Sequence, residues 1–219
     1  GITAGALATY KSLERIDAVE ILPSMVQAAE LFEPYNLGYH RDGRVNIVRD
    51  DGRHFLARSR ERYDIISVNI SDPRLPGASS LFHTEFYDLA KRHLNEGGVL
   101  LQHAFGTDIT VALSTLKASF QELRLHPAYR NGYNVVAADH PLGLDHGALS
   151  RLTSEEAVAA ALKGIGLIPP LDPLGVDLKG LTPADMPALF AESAIATDAH
   201  PLLEFSTRGG ARLMFFSNE

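Results

Sequence analysis

An acidic residue at the end of an apolar, β-branched run is the first residue of this chain that could bind a ligand. Glu20 ends the run at residues 16–21, about 19 residues after a turn of small residues that begins at Gly1. A carboxylate in that position can accept hydrogen bonds from both ribose hydroxyls of a bound nucleoside. A solvated acid at a strand end has the same pattern, so both interpretations stay open.

A second acid follows the next apolar run. Asp51 precedes Gly52, and a glycine lets the backbone approach a flat ring while the carboxylate accepts a hydrogen bond from an exocyclic amine. The ring that this arrangement predicts is adenine. Asp51 could also cap the helix that begins at Gly52, and the two roles are compatible.

A third group of polar residues follows the apolar run at 64–68. Asn69 and Asp72 come directly after it, before a loop that contains Pro73, Pro76 and Gly77. Ligands of open α/β sheets bind at the carboxyl ends of the strands, so Asn69 and Asp72 should face a binding cleft. An ordered, non-helical loop of this composition is typical of a gate over a site.

The elements that position these residues alternate between short strands and helices from Arg15 to Phe120. This alternation predicts βαβ units and a parallel sheet. Segments 122–126 and 133–138 then flank a turn and predict an antiparallel pair that closes the sheet. The predicted strands are 16–21, 45–48, 64–68 and 98–103, and the predicted helices are 2–13, 24–32, 52–59, 84–94 and 109–120.

The character of the sequence changes near residue 140. Residues 1–140 predict one Rossmann-like nucleoside-binding domain. Residues 141–219 are interrupted by prolines but keep leucine, isoleucine and valine throughout, which predicts an irregular helical tail, with a helix near 154–163, packed on the same domain. Because a strand precedes the nucleotide-binding turn in a doubly wound sheet, we expect a strand ahead of Gly1.

Composition limits the class of partner. With 219 residues, of which 45% are hydrophobic, the chain can bury the core of one large domain. The 20 Lys and Arg against 27 Asp and Glu give a net charge of -7, which disfavours a nucleic-acid partner. The charge suits a small cationic substrate if acidic groups gather in a cleft, and ordinary solubility charge is an equally open interpretation. No apolar window approaches the roughly 18 residues of a membrane span, which predicts a soluble chain.

Metal and redox sites are not expected from the sequence. There is no cysteine, which excludes disulfides and thiolate metal sites. The nine histidines include no His-x-x-x-His pair. A histidine-based metal site is therefore not predicted.

Taken together, these motifs resemble the polyamine synthases, the spermidine synthase-like aminopropyltransferases. Their signature after the corresponding strand is close to Asp-Ser-Ser-Asp-Pro, a loop of Gly, Pro and Ala, then Leu-Phe, and residues 69–82 are similar to it. The tail at 197–205 is most similar to bacterial members in which the domain follows a membrane-embedded region. The other matching segments, within roughly residues 1–140, are 19–21, 51–52, 81–87, 97–102 and 127–132.

The resemblance implies an α/β fold with a Rossmann-like, S-adenosylmethionine-dependent methyltransferase-type sheet. It implies decarboxylated S-adenosylmethionine, or S-adenosylmethionine, as a co-substrate with no prosthetic group, and a diamine or polyamine as acceptor. It also suggests a homodimer in the cytoplasm, either free or as the soluble domain of a longer membrane protein. The implied co-substrate residues are Gly1, Glu20, Asp51 and Gly52, and the implied amine residues are Asp72, Gln102 and Tyr129.

The chain departs from the family pattern at one catalytic position. Asn69 stands where the family places an aspartate that takes a proton from the attacking amine. An amide cannot act as a base at neutral pH, so Asn69 can only orient, and Asp72 would bind the ammonium or act as base through a water. Two alternatives to an impaired aminopropyltransferase stay open: a methyltransferase, and a non-catalytic domain that binds nucleosides or polyamines.

Overall fold

The computed structural model describes residues 1–69, 73, 77–104, 109–128, 132–143, 145–164, 180–190 and 194–203. Two residues predicted to bind the amine, Asp72 and Tyr129, lie outside these ranges. The chain divides into two compact units. The first unit comprises 1–59 and 143–178, and the second comprises 60–142 and 179–219. The predicted division at residue 140 stays a prediction.

The first unit contains a two-stranded parallel sheet. Strands β1 (Ile16–Glu20) and β2 (Val45–Arg49) pair in register from Ile16 with Val45 to Glu20 with Arg49. Both predicted strands are confirmed, and their carboxyl ends meet at one edge. The helices of this unit are α1 (Ile2–Ala8), α2 (Pro23–Ala28), α3 (Glu33–Asn36), α4 (Gly52–Arg58), α7 (His146–Ser154) and α8 (Glu156–Gly164).

Helix α1 is shorter than the predicted helix 2–13. The Thr9 hydroxyl donates to the Ala6 carbonyl at 2.7 Å. The guanidinium of Arg44 donates to the carbonyls of Ala8 at 2.5 Å, Tyr10 at 2.8 Å and Leu13 at 2.9 Å. A helix that continued to residue 13 would have bonded the carbonyls of Ala6 and Ala8 internally, and these donors satisfy them instead, so the chain can leave the helix after Ala8.

The predicted helix 24–32 is divided in a different way. Helix α2 begins with Pro23, whose fixed φ suits a first helical position. A 3-10 turn at Ala29–Phe32 follows it, and α3 follows that turn. The buried Asn36 donates from Nδ2 to the Ala29 carbonyl at 2.6 Å, which links α3 to the turn across seven residues.

The second unit contains a four-stranded mixed sheet in the order β3-β4-β6-β5. Strand β3 runs parallel to β4, and β6 runs antiparallel to both β4 and β5. The predicted antiparallel hairpin is therefore confirmed. The elements of this unit are β3 (Tyr63–Val68), α5 (Thr84–His93), β4 (Leu94–Ala104), α6 (Ile109–Ser119), β5 (Glu122–Ala128) and β6 (Gly132–Ala138).

The core of the second unit lies between its sheet and the helices α5 and α6. Its largest side chains are fully buried, and the aromatic residues spaced along 82–87 belong to it. The rings of Tyr87 and Phe120 meet edge to face with centroids 6.0 Å apart. The largest fully buried apolar residues here are Tyr87, Phe82, Leu100, Leu113, Leu116, Leu125, Leu203 and Val135.

Among the described residues, no helix is both long enough and apolar enough to cross a bilayer.

Candidate functional site

The turn at Gly1 packs closely against Tyr39. A Cβ added at Gly1 would lie 2.2 Å from Cε1 of Tyr39, so a side chain there would displace the ring. Burial raises the pKa of the Tyr39 hydroxyl, and the negative charge of Glu20 raises it further. Tyr39 therefore packs on the turn at Gly1, and its pKa responds to the charge of Glu20 in the same unit.

Glu20 is half-buried at the carboxyl end of β1. Its Oε1 accepts a hydrogen bond from the Leu22 amide at 2.9 Å, which orients the carboxylate where the chain leaves the strand. An ionised carboxylate offers about four lone-pair sites, so further donors such as ribose hydroxyls can still bind.

Asp51 lies two residues past the end of β2, at the same sheet edge as Glu20. Its Oδ1 accepts a hydrogen bond from the His54 amide at 2.8 Å and caps helix α4, so the capping interpretation is confirmed. The neighbouring Asp50 accepts from the Asp51 amide at 2.9 Å and pairs with Arg58. Both oxygens of Asp50 are thus engaged within the protein, whereas the cap of α4 uses one oxygen of Asp51.

Open space adjoins Gly52. A Cβ added there would meet no atom of the described chain within 4 Å. The lack of a side chain leaves room beside the backbone at the start of α4. A flat ring could occupy that room within reach of Asp51.

The second unit carries Asn69 at the end of β3. Asn69 is exposed, and its Nδ2 donates to Oγ of Ser67 at 3.2 Å. Val68 pairs with Gln102 on the parallel strand β4, so Asn69 and Gln102 belong to the same edge of the mixed sheet. Asn69 has an oriented amide at the strand end that the sequence predicted.

Gln102 is fully buried and uses both ends of its amide. Its Oε1 accepts a hydrogen bond from the Tyr87 hydroxyl at 2.8 Å, and its Nε2 donates to the Leu81 carbonyl at 3.1 Å. Burial raises the pKa of Tyr87 well above its ordinary value, although the bond to Gln102 opposes this effect. Gln102 therefore joins β4 to α5 and to the segment before it. The amine contact expected of Gln102 stays a prediction.

Two tyrosines at these places were not predicted as functional residues. Tyr39 occurs in a segment without periodic hydrophobic residues, and its proximity to Gly1 arises only from tertiary packing. Tyr87 follows the helical spacing of core residues, and it is indeed fully buried. The sequence signal for Tyr87 was its hydroxyl at an otherwise apolar core position, because a buried tyrosine usually has a hydrogen-bond partner.

The fold is that of solved structures of a spermidine synthase and a methyltransferase-like protein. A spermidine synthase in complex with the transition-state analogue AdoDATO superimposes with a TM-score of 0.62 at 19% identity, covering 76% of this chain and 67% of that one. Human methyltransferase-like protein 13 in complex with SAH superimposes with a TM-score of 0.56 at 24% identity, covering 74% of this chain and 79% of that one. The predicted methyltransferase-type α/β fold is confirmed.

A sequence relative and a family model both match this chain. Polyamine aminopropyltransferase 1 of Pseudomonas aeruginosa is 43% identical over 96 residues, which are 43% of this chain and 33% of the relative. The chain thus matches about a third of that relative's length. Residues 1–136 match the family model described as the spermine/spermidine synthase domain. This chain belongs to the spermine/spermidine synthase domain family.

Proposed function

We propose that this chain transfers the aminopropyl group of decarboxylated S-adenosylmethionine to a diamine or polyamine. The observation that carries the proposal is the placement of Glu20 and Asp51 at one edge of the β1–β2 pair. Ligands of open α/β sheets bind at this edge. The family match and the named aminopropyltransferase relatives support the same reaction.

The nucleoside would be held by the first unit. Glu20 accepts hydrogen bonds from the ribose hydroxyls, and Asp51 accepts one from the exocyclic amine of adenine. Gly52 lets the backbone approach the ligand, and the backbone of Gly1 contributes from the turn that packs on Tyr39. Tyr39, packed on Gly1, closes one side of this place.

The amine would be held by three residues that match amine-binding positions of the family. Asp72 attracts an ammonium group, while Gln102 and Tyr129 complete the amine side. Gln102 also acts as a positioning residue, because its amide fixes Tyr87 and the Leu81 carbonyl. The net charge of -7 favours the approach of a polycation.

The reaction is a substitution at carbon. The amine lone pair forms a C–N bond to the carbon next to the sulfonium, the C–S bond breaks, and its electron pair neutralises sulfur in 5'-methylthioadenosine. The new ammonium then loses one proton. Asn69 orients the amine but cannot accept that proton. The proton therefore passes to water or, through water, to Asp72. Positioning supplies most of the rate enhancement, and the missing base costs on the order of 100-fold to 10,000-fold.

Asn69 also favours a second candidate, a non-catalytic domain that binds nucleosides or polyamines. Such a domain would retain Glu20 and Asp51 for the ligand and would not need a base. We further propose a homodimer in the cytoplasm, either free or attached to a membrane region, with no prosthetic group.

Calorimetric titration distinguishes these functions. The ligands are decarboxylated S-adenosylmethionine, S-adenosylmethionine and 5'-methylthioadenosine, each with and without putrescine or spermidine. Aminopropyl transfer predicts preferential binding of the decarboxylated compound together with an amine. Preference for S-adenosylmethionine would instead support a methyltransferase, and binding without turnover would support the non-catalytic domain.

A matched pair of variants localises the binding. Glu20→Gln removes the charge that should accept the ribose hydroxyls and should weaken nucleoside binding at least tenfold. Glu30→Gln makes the same change at an exposed position and should leave binding unaltered. Equal affinities for the two variants would contradict the ribose-binding role of Glu20.

A further inference from the structure

Three side chains with metal-ligand chemistry meet at the start of helix α5. His83 immediately precedes the helix and is 3% exposed. Its Nδ1 lies 2.9 Å from Oδ1 of Asp198, which is 115 residues away in the sequence. Glu85 completes the group, and one ligand atom from each of the three residues lies within 4.8 Å of the others.

Hydrogen bonds hold the carboxylate of Glu85 in place. Its Oε2 accepts from the Thr84 hydroxyl at 3.1 Å and from the Asp198 backbone amide at 3.0 Å. Carboxylates that bind metals are typically oriented in this way by surrounding donors. The second bond also connects the two segments that would share an ion.

The segment that carries Asp198 is itself anchored. The buried Ala196 donates its amide to Oγ1 of Thr115 at 3.0 Å and accepts from the Thr84 amide at 3.2 Å. These bonds join residues 194–203 to α5 and α6. Asp198 is therefore held beside His83 by contacts other than its own carboxylate.

The imidazole of His83 is bonded on one side. Its Nε2 is buried and lacks a hydrogen-bond partner among the described residues. A buried polar atom without a partner costs free energy and asks for an explanation, such as an ion or a catalytic role. The ring is held with Nδ1 against the Asp198 carboxylate despite that cost, which leaves Nδ1 as the nitrogen that faces the group.

We propose that His83, Glu85 and Asp198 bind a divalent transition-metal ion of the Zn²⁺ type. Zn²⁺ binds imidazole nitrogen and carboxylate oxygen, whereas Mg²⁺ and Ca²⁺ take oxygen ligands. Distances of about 2.1 Å from the ion to each ligand atom require the ligand atoms to lie roughly 3 to 3.5 Å from one another. Side-chain rotations that move these atoms by about 1 Å would complete the site. Three protein ligands leave a position for water.

Bound metal would fasten residues 194–203 to the start of α5. The half-exposed carboxylate of Asp198 gives the ion a path from solvent, while the buried His83 provides the inner ligand. The three residues belong to the second unit and include none of the residues proposed to bind the nucleoside. Its occupation does not depend on aminopropyl transfer.

The test is titration of the purified chain with ZnCl₂ after dialysis against a chelator, with MgCl₂ as the comparison ion. We expect one Zn²⁺ per chain, a higher unfolding temperature with Zn²⁺, and neither effect with Mg²⁺. His83→Asn keeps a donor toward Asp198 but is a poor zinc ligand, and it should weaken binding at least tenfold. Glu85→Gln and Asp198→Asn should weaken it as well.

His200→Asn provides the control, because His200 is an exposed histidine in the same segment. It should bind Zn²⁺ as the unmodified chain does. Circular dichroism verifies that each variant is folded, and the two carboxamide variants test the site if His83→Asn fails to fold. Absence of binding at micromolar Zn²⁺, or equal binding by all variants, would overturn the proposal.

Discussion

At the scale of single residues, position 69 determines what chemistry the chain can perform. Asn69 has an exposed amide that is oriented by Ser67, and neither group can take a proton from an ammonium at neutral pH. Binding residues such as Glu20 and Asp51 do not depend on that position. Binding and turnover should therefore respond separately to substitution.

Replacing Asn69 with aspartate should introduce the missing base. We expect kcat for aminopropyl transfer to rise about 100-fold to 10,000-fold, while nucleoside affinity changes little. Initial rates of 5'-methylthioadenosine formation across a pH series measure this. The increase should disappear at low pH, where the new carboxylate is protonated.

Asn69→Ala is the matched variant, since it removes the amide without supplying a base. It should be no faster than the unmodified chain. If Asn69→Asp were equally slow, the assignment of this position as the site of proton removal would be wrong.

At the scale of elements, Gln102 connects strand β4 with helix α5 through the Tyr87 hydroxyl. The sequence placed Gln102 on a strand and Tyr87 on a helix correctly. The family resemblance implied that Gln102 contacts the amine. The structure adds hydrogen bonds from Gln102 to the Tyr87 hydroxyl and the Leu81 carbonyl. A buried amide makes such bonds because an unpaired polar group in the core is costly.

Tyr87→Phe should destabilise the chain by about 1–3 kcal/mol, because it leaves the buried Oε1 of Gln102 without this donor. Urea unfolding followed by circular dichroism measures the change. Tyr35→Phe is the control, since Tyr35 is 71% exposed and should unfold at an unchanged urea concentration. Equal midpoints for the two variants would show that the buried bond adds nothing.

Local sequence patterns predicted which helices and strands form better than they predicted where each one ends or which distant residues it contacts. Alternating apolar runs gave strands β1 and β2, and the turn between two runs gave the final hairpin. The end of α1 could not be predicted, because Arg44 satisfies the carbonyls from 31 to 36 residues away. The contact of His83 with Asp198 spans 115 residues and leaves no local signal.

At the scale of the whole molecule, the net charge can be predicted from the sequence alone. The net charge of -7 is a sum over the chain and does not require the placement of any side chain. A negative field raises the local concentration of a polycation, and salt screens that field. The proposed amine acceptor should respond to salt more strongly than a neutral nucleoside.

We therefore expect the affinity for spermidine to fall several-fold as ionic strength increases from about 0.01 M to 0.15 M, because the Debye length shortens from about 30 Å to about 8 Å. The affinity for 5'-methylthioadenosine, which is uncharged, should stay nearly constant. Calorimetry at four salt concentrations measures both. Because the two ligands are compared on the same protein, a general effect of salt on folding would weaken both equally, whereas an electrostatic attraction weakens only the amine. Parallel loss of both affinities would contradict the role assigned to the negative charge.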